Sequence, residues 1–144
     1  MFSVLALMPS PTKVRQHGGM GRSVLIVDDD PVYRAAVRAL LEVDGEYTVS
    51  EAASASAAVA AITRGNRPDL VLLDLGLPGE DVFAAAGELS VLASEVVVVL
   101  CSVREADEFG GRIAHCSAAG FLTKARLSAA ALSRFIMVDD SDDG

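Results

Sequence analysis

Residues 24–31 read VLIVDDDP, and this stretch decides the fold. Val24 to Val27 are a continuous apolar run, as in a strand covered on both faces. The run passes without a break into Asp28, Asp29 and Asp30, then into Pro31. Like charges a few ångströms apart repel, and an unpaired buried carboxylate is costly. The acids are therefore either solvated or gathered around something positive. Asp30 also suits a helix N-cap and Pro31 the first helical position, so the chain turns here from strand to helix.

Outward from this point the chain keeps alternating. Strand 23–27 leads into a helix over 30–43, and YTVSEA (47–52) is a short strand. An Ala-rich helix over 54–65 closes at Gly65, and LVLL (70–73) follows. A turn with Pro78 and Gly79 leads to a helix over 80–90. EVVVVL (95–100) is a buried strand, and a helix through 105–118 comes next, weakened by Gly110 and Gly111. GFLT (120–123) is the last strand and 127–137 the last helix. The fold class is α/β: five βα units forming a doubly wound five-stranded parallel sheet with helices on both faces and right-handed crossovers.

Length and composition narrow the function. The 144 residues fit one domain with a core of its own, and 51% hydrophobic residues exclude overall disorder. A net charge of −8 argues against non-specific nucleic-acid or anionic-membrane binding. No run approaches the roughly 18 apolar residues of a membrane span. MFSVLALMPS lacks a basic n-region, so it does not read as a signal peptide and a cytoplasmic location is expected. Cys101 and Cys116 read as buried thiols in a reducing compartment, Cys116 within a helix. His17 and His115 form no metal cluster, and His115 reads as a helix-surface residue.

Residues 1–21, with Pro9, Pro11 and HGGMG, read as a poorly ordered extension, and Met20 is an alternative start to Met1. The glycines precede the strand and no GK[ST] follows, so they make no phosphate loop. The domain proper is expected over 22–138. Asp139, Asp140, Asp142 and Asp143 make 139–144 a solvated acidic tail.

In open parallel sheets ligands bind beyond the carboxyl ends of the strands. Asp28 and Asp29 follow the first strand, Asp74 the third, Cys101 and Ser102 the fourth, and Lys124 the fifth. Three carboxylates, a hydroxyl and an ammonium thus converge on one edge. Carboxylates without His or Cys suit a hard divalent cation, Mg²⁺ above all. Asp74 can act as a nucleophile and form an aspartyl phosphate, Lys124 can meet phosphate as a point charge, and the Ser102 hydroxyl can donate to a phosphoryl oxygen.

VLIVDDDP, RPDLVLLDLGLPGED, VVVLCSV and AAGFLTK resemble, in order, the signatures of a two-component response-regulator receiver domain. The resemblance covers residues 23–137. Ser102 stands 28 residues after Asp74, and Lys124 22 after Ser102, which resembles the NarL-like branch. The resemblance implies a flavodoxin-like strand order, 2-1-3-4-5. It makes Asp74 the phosphoacceptor, with Asp29 binding Mg²⁺ directly and Asp28 through water. The Gly76 carbonyl is a further metal ligand, Ser102 the switch hydroxyl, Lys124 the phosphate-contacting lysine and Phe121 the switch aromatic. The implied phosphodonor is a histidine kinase or histidine phosphotransfer protein, and the implied output is a protein contact through a face of helix 4, strand 5 and helix 5. A phosphoacceptor rather than an enzyme is thus expected.

The sequence departs from the pattern in places. Ala125 stands where many receivers have proline, Gly76 has no side chain to shield an acyl phosphate, and Arg104 is long and charged. NarL-like regulators carry a DNA-binding domain after the receiver, whereas Gly144 stands seven residues beyond the expected last helix. A receiver without its output domain is expected to signal by contact with an unidentified downstream protein, to act as a relay or phosphate sink, or to be a truncated piece; direct nucleic-acid or membrane binding is not expected. Leu132, Phe135 and Ile136 on the last helix pack on their own sheet or serve a homodimer. Two other readings stay open. One is a pseudo-receiver that binds proteins without phosphorylation. The other is a haloacid-dehalogenase-like phosphatase using Asp28, since DDDPV fits its DxDx[TV] signature; the short chain and the immediate helix speak against it.

Overall fold

The structure is a computed structural model that describes residues 22–43 and 45–143, with side chains through Ile136. The extension 1–21, with HGGMG and Met20, lies outside the described residues, as do the side chains of the acidic stretch 139–144. Strands β1 (Arg22–Val27), β2 (Tyr47–Ala52), β3 (Leu70–Asp74), β4 (Val97–Ser102) and β5 (Gly120–Thr123) alternate with helices. These are α1 (Pro31–Glu42), α2 (Ala55–Thr63), α3 (Val82–Leu92) and α4 (Ala129–Asp143). All neighbouring strands are parallel, in the order β2-β1-β3-β4-β5.

Period-two alternation within the apolar strands splits the core into two layers. Leu25, Val27, Val71, Leu73, Val98 and Leu100 face α2 and α3, meeting Ala58, Ile62, Ala86 and Leu89. Val24, Ile26, Leu70, Leu72, Val99 and Cys101 face the other way, onto Val37 and Leu41 of α1 and Leu132 and Ile136 of α4. Leu132 and Ile136 are thus buried against their own sheet, while Phe135 is only half-buried.

Polar contacts fix the helix ends. Asp30 accepts from the Val32 N–H with Pro31 at the first helical position, and Ser54 and Asp81 cap α2 and α3. Glu80, one residue ahead of the α3 cap, instead reaches across to accept from the Ala55 and Ser56 N–H groups at the start of α2. On the opposite face Arg34 and Arg38 bind Glu51, tying α1 to β2.

The helix expected over 105–118 does not form. Ala106–Phe109 make one 3₁₀ turn, and irregular turns carry the chain to Gly120. Gly110 stops the turn at φ +61°, a left-handed conformation that glycine adopts readily. The His115 ring then takes the Gly111 carbonyl at 2.7 Å. His115 and Cys116 therefore lie in a turn, with His115 exposed and Cys116 half-buried. The last helix starts at Ala129 rather than 127, because Ser128 accepts from the Ala131 N–H and opens it, and its backbone runs on to Asp143.

Strand register levels the edge that matters. Val27 stands beside Leu73, Asp74 beside Cys101, and Ser102 beside Thr123. The residues that end β1, β3, β4 and β5 therefore leave the sheet at nearly the same height.

Candidate functional site

Asp28 leaves β1 buried, at 1% exposure, and its Oδ1 accepts the Asp30 N–H at 2.9 Å. Its backbone carbonyl accepts from the Arg34 guanidinium on α1. Asp29, next along, is exposed. Asp74 ends β3 at 6% exposure, and its Oδ1 accepts the Gly76 N–H at 3.0 Å. Carboxylate oxygens of Asp28, Asp29 and Asp74 all lie within 4.8 Å of one another.

Lys124 follows β5 directly and enters this cluster. Its Nζ donates to Asp28 Oδ2 at 2.7 Å and stands 3.8 Å from Asp74 Oδ1. The ammonium therefore pairs first with the acid after β1. Burial would pull Lys124 below its ordinary value, but the hydrogen bond to Asp28 and the nearby negative charges outweigh it and leave the pKa raised. Asp74 is pushed above the usual carboxylate range, chiefly by burial, with the Asp28 charge adding to it; the Gly76 N–H and the Lys124 charge act in the opposite sense.

Ser102 is buried at the end of β4, where its Oγ accepts the Arg104 N–H at 3.0 Å. Asp74, Gly76, Ser102, Arg104, Phe109 and Lys124 line an open cleft of about 490 Å³. A methyl group built on Gly76 would lie 3.5 and 3.6 Å from the two Asp74 oxygens, so glycine here keeps the carboxylate uncovered. Phe121 does not line the cleft. It is half-buried on β5, with its ring 6.2 Å from that of Phe109, which in turn is 6.4 Å from Phe83 on α3. Both contacts are edge-to-face, a favoured aromatic geometry.

The donor set fits a hard dication. Three carboxylates face one ammonium, which leaves the cluster two positive charges short, and every candidate ligand atom is oxygen. The structure brings together Asp28, Asp29, Asp74, Ser102 and Lys124, the residues singled out in the sequence, with Gly76 against Asp74.

Three participants are not evident from sequence. Phe109 walls the cleft from a segment that reads as a helix. Arg34 holds the Asp28 carbonyl. The Tyr33 ring lies beneath the Lys124 ammonium, 4.1 Å from its centroid.

The comparisons agree with this arrangement. Residues 24–134 match the response regulator receiver domain family. A putative transcriptional regulator of Pseudomonas aeruginosa is 37% identical over 101 residues, 70% of this chain and 48% of that protein. The response regulator GacA of Pseudomonas viridiflava is 34% identical over 102 residues, 70% of this chain and 47% of that protein. A CheY-like receiver domain protein from Methanospirillum hungatei shares the fold, with a TM-score of 0.70 at 21% identity, covering 86% of this chain and 99% of that one. The chain belongs to the response-regulator receiver family, whose members serve as phosphoacceptors in two-component signalling. It spans about half the length of the curated relatives it matches. Among the described residues no helix is long and apolar enough to cross a membrane.

Proposed function

We propose that this receiver takes a phosphoryl group onto Asp74 from a histidine kinase or histidine phosphotransfer protein, with Mg²⁺, in the cytoplasm. One observation carries the choice of residue. Asp74 lines the open cleft beside Ser102 and Lys124, whereas the Asp28 side chain is 2% exposed and held by Lys124 and the Asp30 N–H. The Asp74 side chain, 9% exposed at the cleft, is the more open of the two to an incoming phosphorus atom. The same observation speaks against a phosphatase working from Asp28.

Asp29, Asp74 and the Gly76 carbonyl would hold the metal, with Asp28 acting through water. Bound Mg²⁺ supplies positive charge beside the phosphoryl oxygens. An Asp74 oxygen attacks the phosphorus, the P–N bond of the donor phosphohistidine breaks, and its electron pair returns to the imidazole nitrogen. Lys124 then moves from Asp28 toward a phosphoryl oxygen. Ser102 gives up its turn with Arg104 and donates to another. A hydrogen bond to a charged acceptor contributes about 1.5–3 kcal/mol, enough to shift a two-state loop by roughly ten- to a hundredfold. Phe121, in contact with Phe109, would follow the Ser102 loop as the switch aromatic.

The responding face is β5, α4 and the irregular 103–119 connection, where the family pattern has a helix. A downstream protein or a second copy of the chain would read it. The receiver unit is taken as 22–138, with 1–21 as an extension and 139–144 as an acidic tail.

Intact-mass spectrometry after incubation with acetyl phosphate and Mg²⁺ tests the reading. One phosphoryl group on the wild type and none on Asp74→Asn is expected. A folded, Mg²⁺-binding wild type that takes no group would instead make the chain a pseudo-receiver, and labelling of both proteins would move the acceptor to Asp28.

A further inference from the structure

The geometry points to Tyr33 as a positioning residue, whose ring is a fixed seat for the Lys124 ammonium during phosphoryl transfer. The inference rests on the reading of Asp74 as phosphoacceptor. Lys124 Nζ is held from three sides: by Asp28 Oδ2 at 2.7 Å, by Asp74 Oδ1 at 3.8 Å and by the Tyr33 ring at 4.1 Å from its centroid. A cation over an aromatic face within about 6 Å is attracted by the ring quadrupole. The ring itself is anchored. It packs half-buried on the α1/α4 face of the sheet, and its hydroxyl stands 4.0 Å from the buried Cys101 Sγ.

An aromatic seat suits this place better than an acidic one. Lys124 must leave Asp28 when a dication and a phosphoryl group compete for the same charges, and its N–H donors must then be free to turn toward phosphate. The ring attracts the ammonium without consuming those donors in a strong hydrogen bond. A carboxylate would add a fourth negative charge to the cluster and hold the lysine back. With the Asp28 bond released, the ring is the contact that keeps Nζ over the cleft. Leucine at the same position would fill much of the volume and lack the quadrupole.

A double-mutant cycle on the full chain tests this, with acetyl phosphate and Mg²⁺ as probe and the rate of the added phosphoryl mass as readout. Tyr33→Leu is expected to slow transfer by about three- to tenfold, and Tyr33→Phe to restore most of the lost rate. In a Lys124→Ala background, Tyr33→Leu should cost less than about twofold more, because the ring then has no cation to seat. An unchanged rate in Tyr33→Leu, an equal loss in both backgrounds, or no rescue by Tyr33→Phe would each overturn the seat. If the wild type takes no phosphoryl group at all, the parent reading fails separately. The seat is then judged by the ring-current shift of the Lys124 ε-methylene protons. An upfield shift in wild type and Tyr33→Phe, lost in Tyr33→Leu, supports it, and ordinary shifts in the wild type refute it.

Discussion

Removing one charge of each sign from the cleft should move stability in opposite directions. Asp74→Asn deletes a carboxylate whose oxygens lie within 4.8 Å of those of Asp28 and Asp29 and 3.8 Å from Lys124 Nζ. At an effective dielectric of about 20, each repulsion is roughly 3.5 kcal/mol and the attraction roughly 4.4 kcal/mol. The repulsions win, and the neutral amide also escapes the burial cost that raises the Asp74 pKa. The expected gain is about 2 kcal/mol without metal. Lys124→Met does the reverse. It strips the buried Asp28 of its 2.7 Å partner, and breaking a buried pair costs about 3–5 kcal/mol. The ammonium side chain is 19% exposed, which puts the expectation at the lower end, about 3 kcal/mol. For a domain of this size about 1 kcal/mol moves the Tm by roughly 4 °C, so Asp74→Asn should melt about 8 °C higher and Lys124→Met about 12 °C lower. The assay is thermal unfolding in a chelator, repeated with Mg²⁺. Added metal should help Lys124→Met more than wild type, because its cluster lacks one more positive charge, and Asp74→Asn less. Shifts of the same sign for both variants in the chelator would refute the charge-deficit account.

Three further outcomes follow from single contacts. Gly120→Ala would drive a methyl carbon into the Phe135 ring, so the ring or α4 must give way; a loss of about 1–3 kcal/mol in a denaturant titration is expected, and an unchanged midpoint would show that Phe135 moves aside freely. Phe109→Ala removes the aromatic wall of the cleft and both ring contacts, which should admit water and shorten the lifetime of the added phosphoryl mass severalfold; an unchanged decay would assign shielding to other residues. Burial pushes the Cys101 thiol from 9.0 up to about 11, so the folded state favours the protonated form. Its contribution to stability is present below pH 9 and is lost as pH rises toward 11, and that slope should flatten in Cys101→Ala.

The strands and their chemistry were legible because two rules coincide. Continuous apolar runs such as LVLL and VVVVL can be satisfied only inside a doubly covered sheet, and a parallel sheet sends every strand's next residue to one edge. Asp28, Asp74, Ser102 and Lys124 follow from those rules alone. The 105–118 segment was not legible as turns. It has helix-forming residues around Gly110 and Gly111, but no buried apolar stripe strong enough to offset two glycines. The partner of Lys124 was not legible either. Asp28 and Asp74 differ as partners by 1.1 Å, and a one-dimensional spacing carries no such information. Tyr33 meets Lys124 across 91 positions, a contact created by the sheet order rather than by any local motif.

The clustered acids and the absent 105–118 helix belong to one physical account. The packed layers around β1 and β3 hold Asp28 and Asp74 together despite a shortage of two positive charges, so the site is a store of unfavourable charge on a rigid frame. On the proposed reading, phosphorylation adds negative charge at Asp74, and the shortage grows. The frame cannot relieve it, because β1, β3 and β4 are buried on both faces. Relief must come from groups that can move toward the new charge, Lys124 and Ser102. Each is joined to the 103–119 connection, Ser102 through the Arg104 N–H at one end and Lys124 through β5 at the other. That connection is secured by few backbone hydrogen bonds, a salt bridge from Arg112 to Asp81 at 3.8 Å and the edge-to-face rings of Phe83, Phe109 and Phe121. With no helical ladder to break, it is the least costly part of the edge to rearrange. Hydrogen exchange should therefore change over 103–119 on phosphorylation while β1 and β3 stay protected. Protection changes confined to α1 and β2 would place the responding element on the opposite side of the sheet.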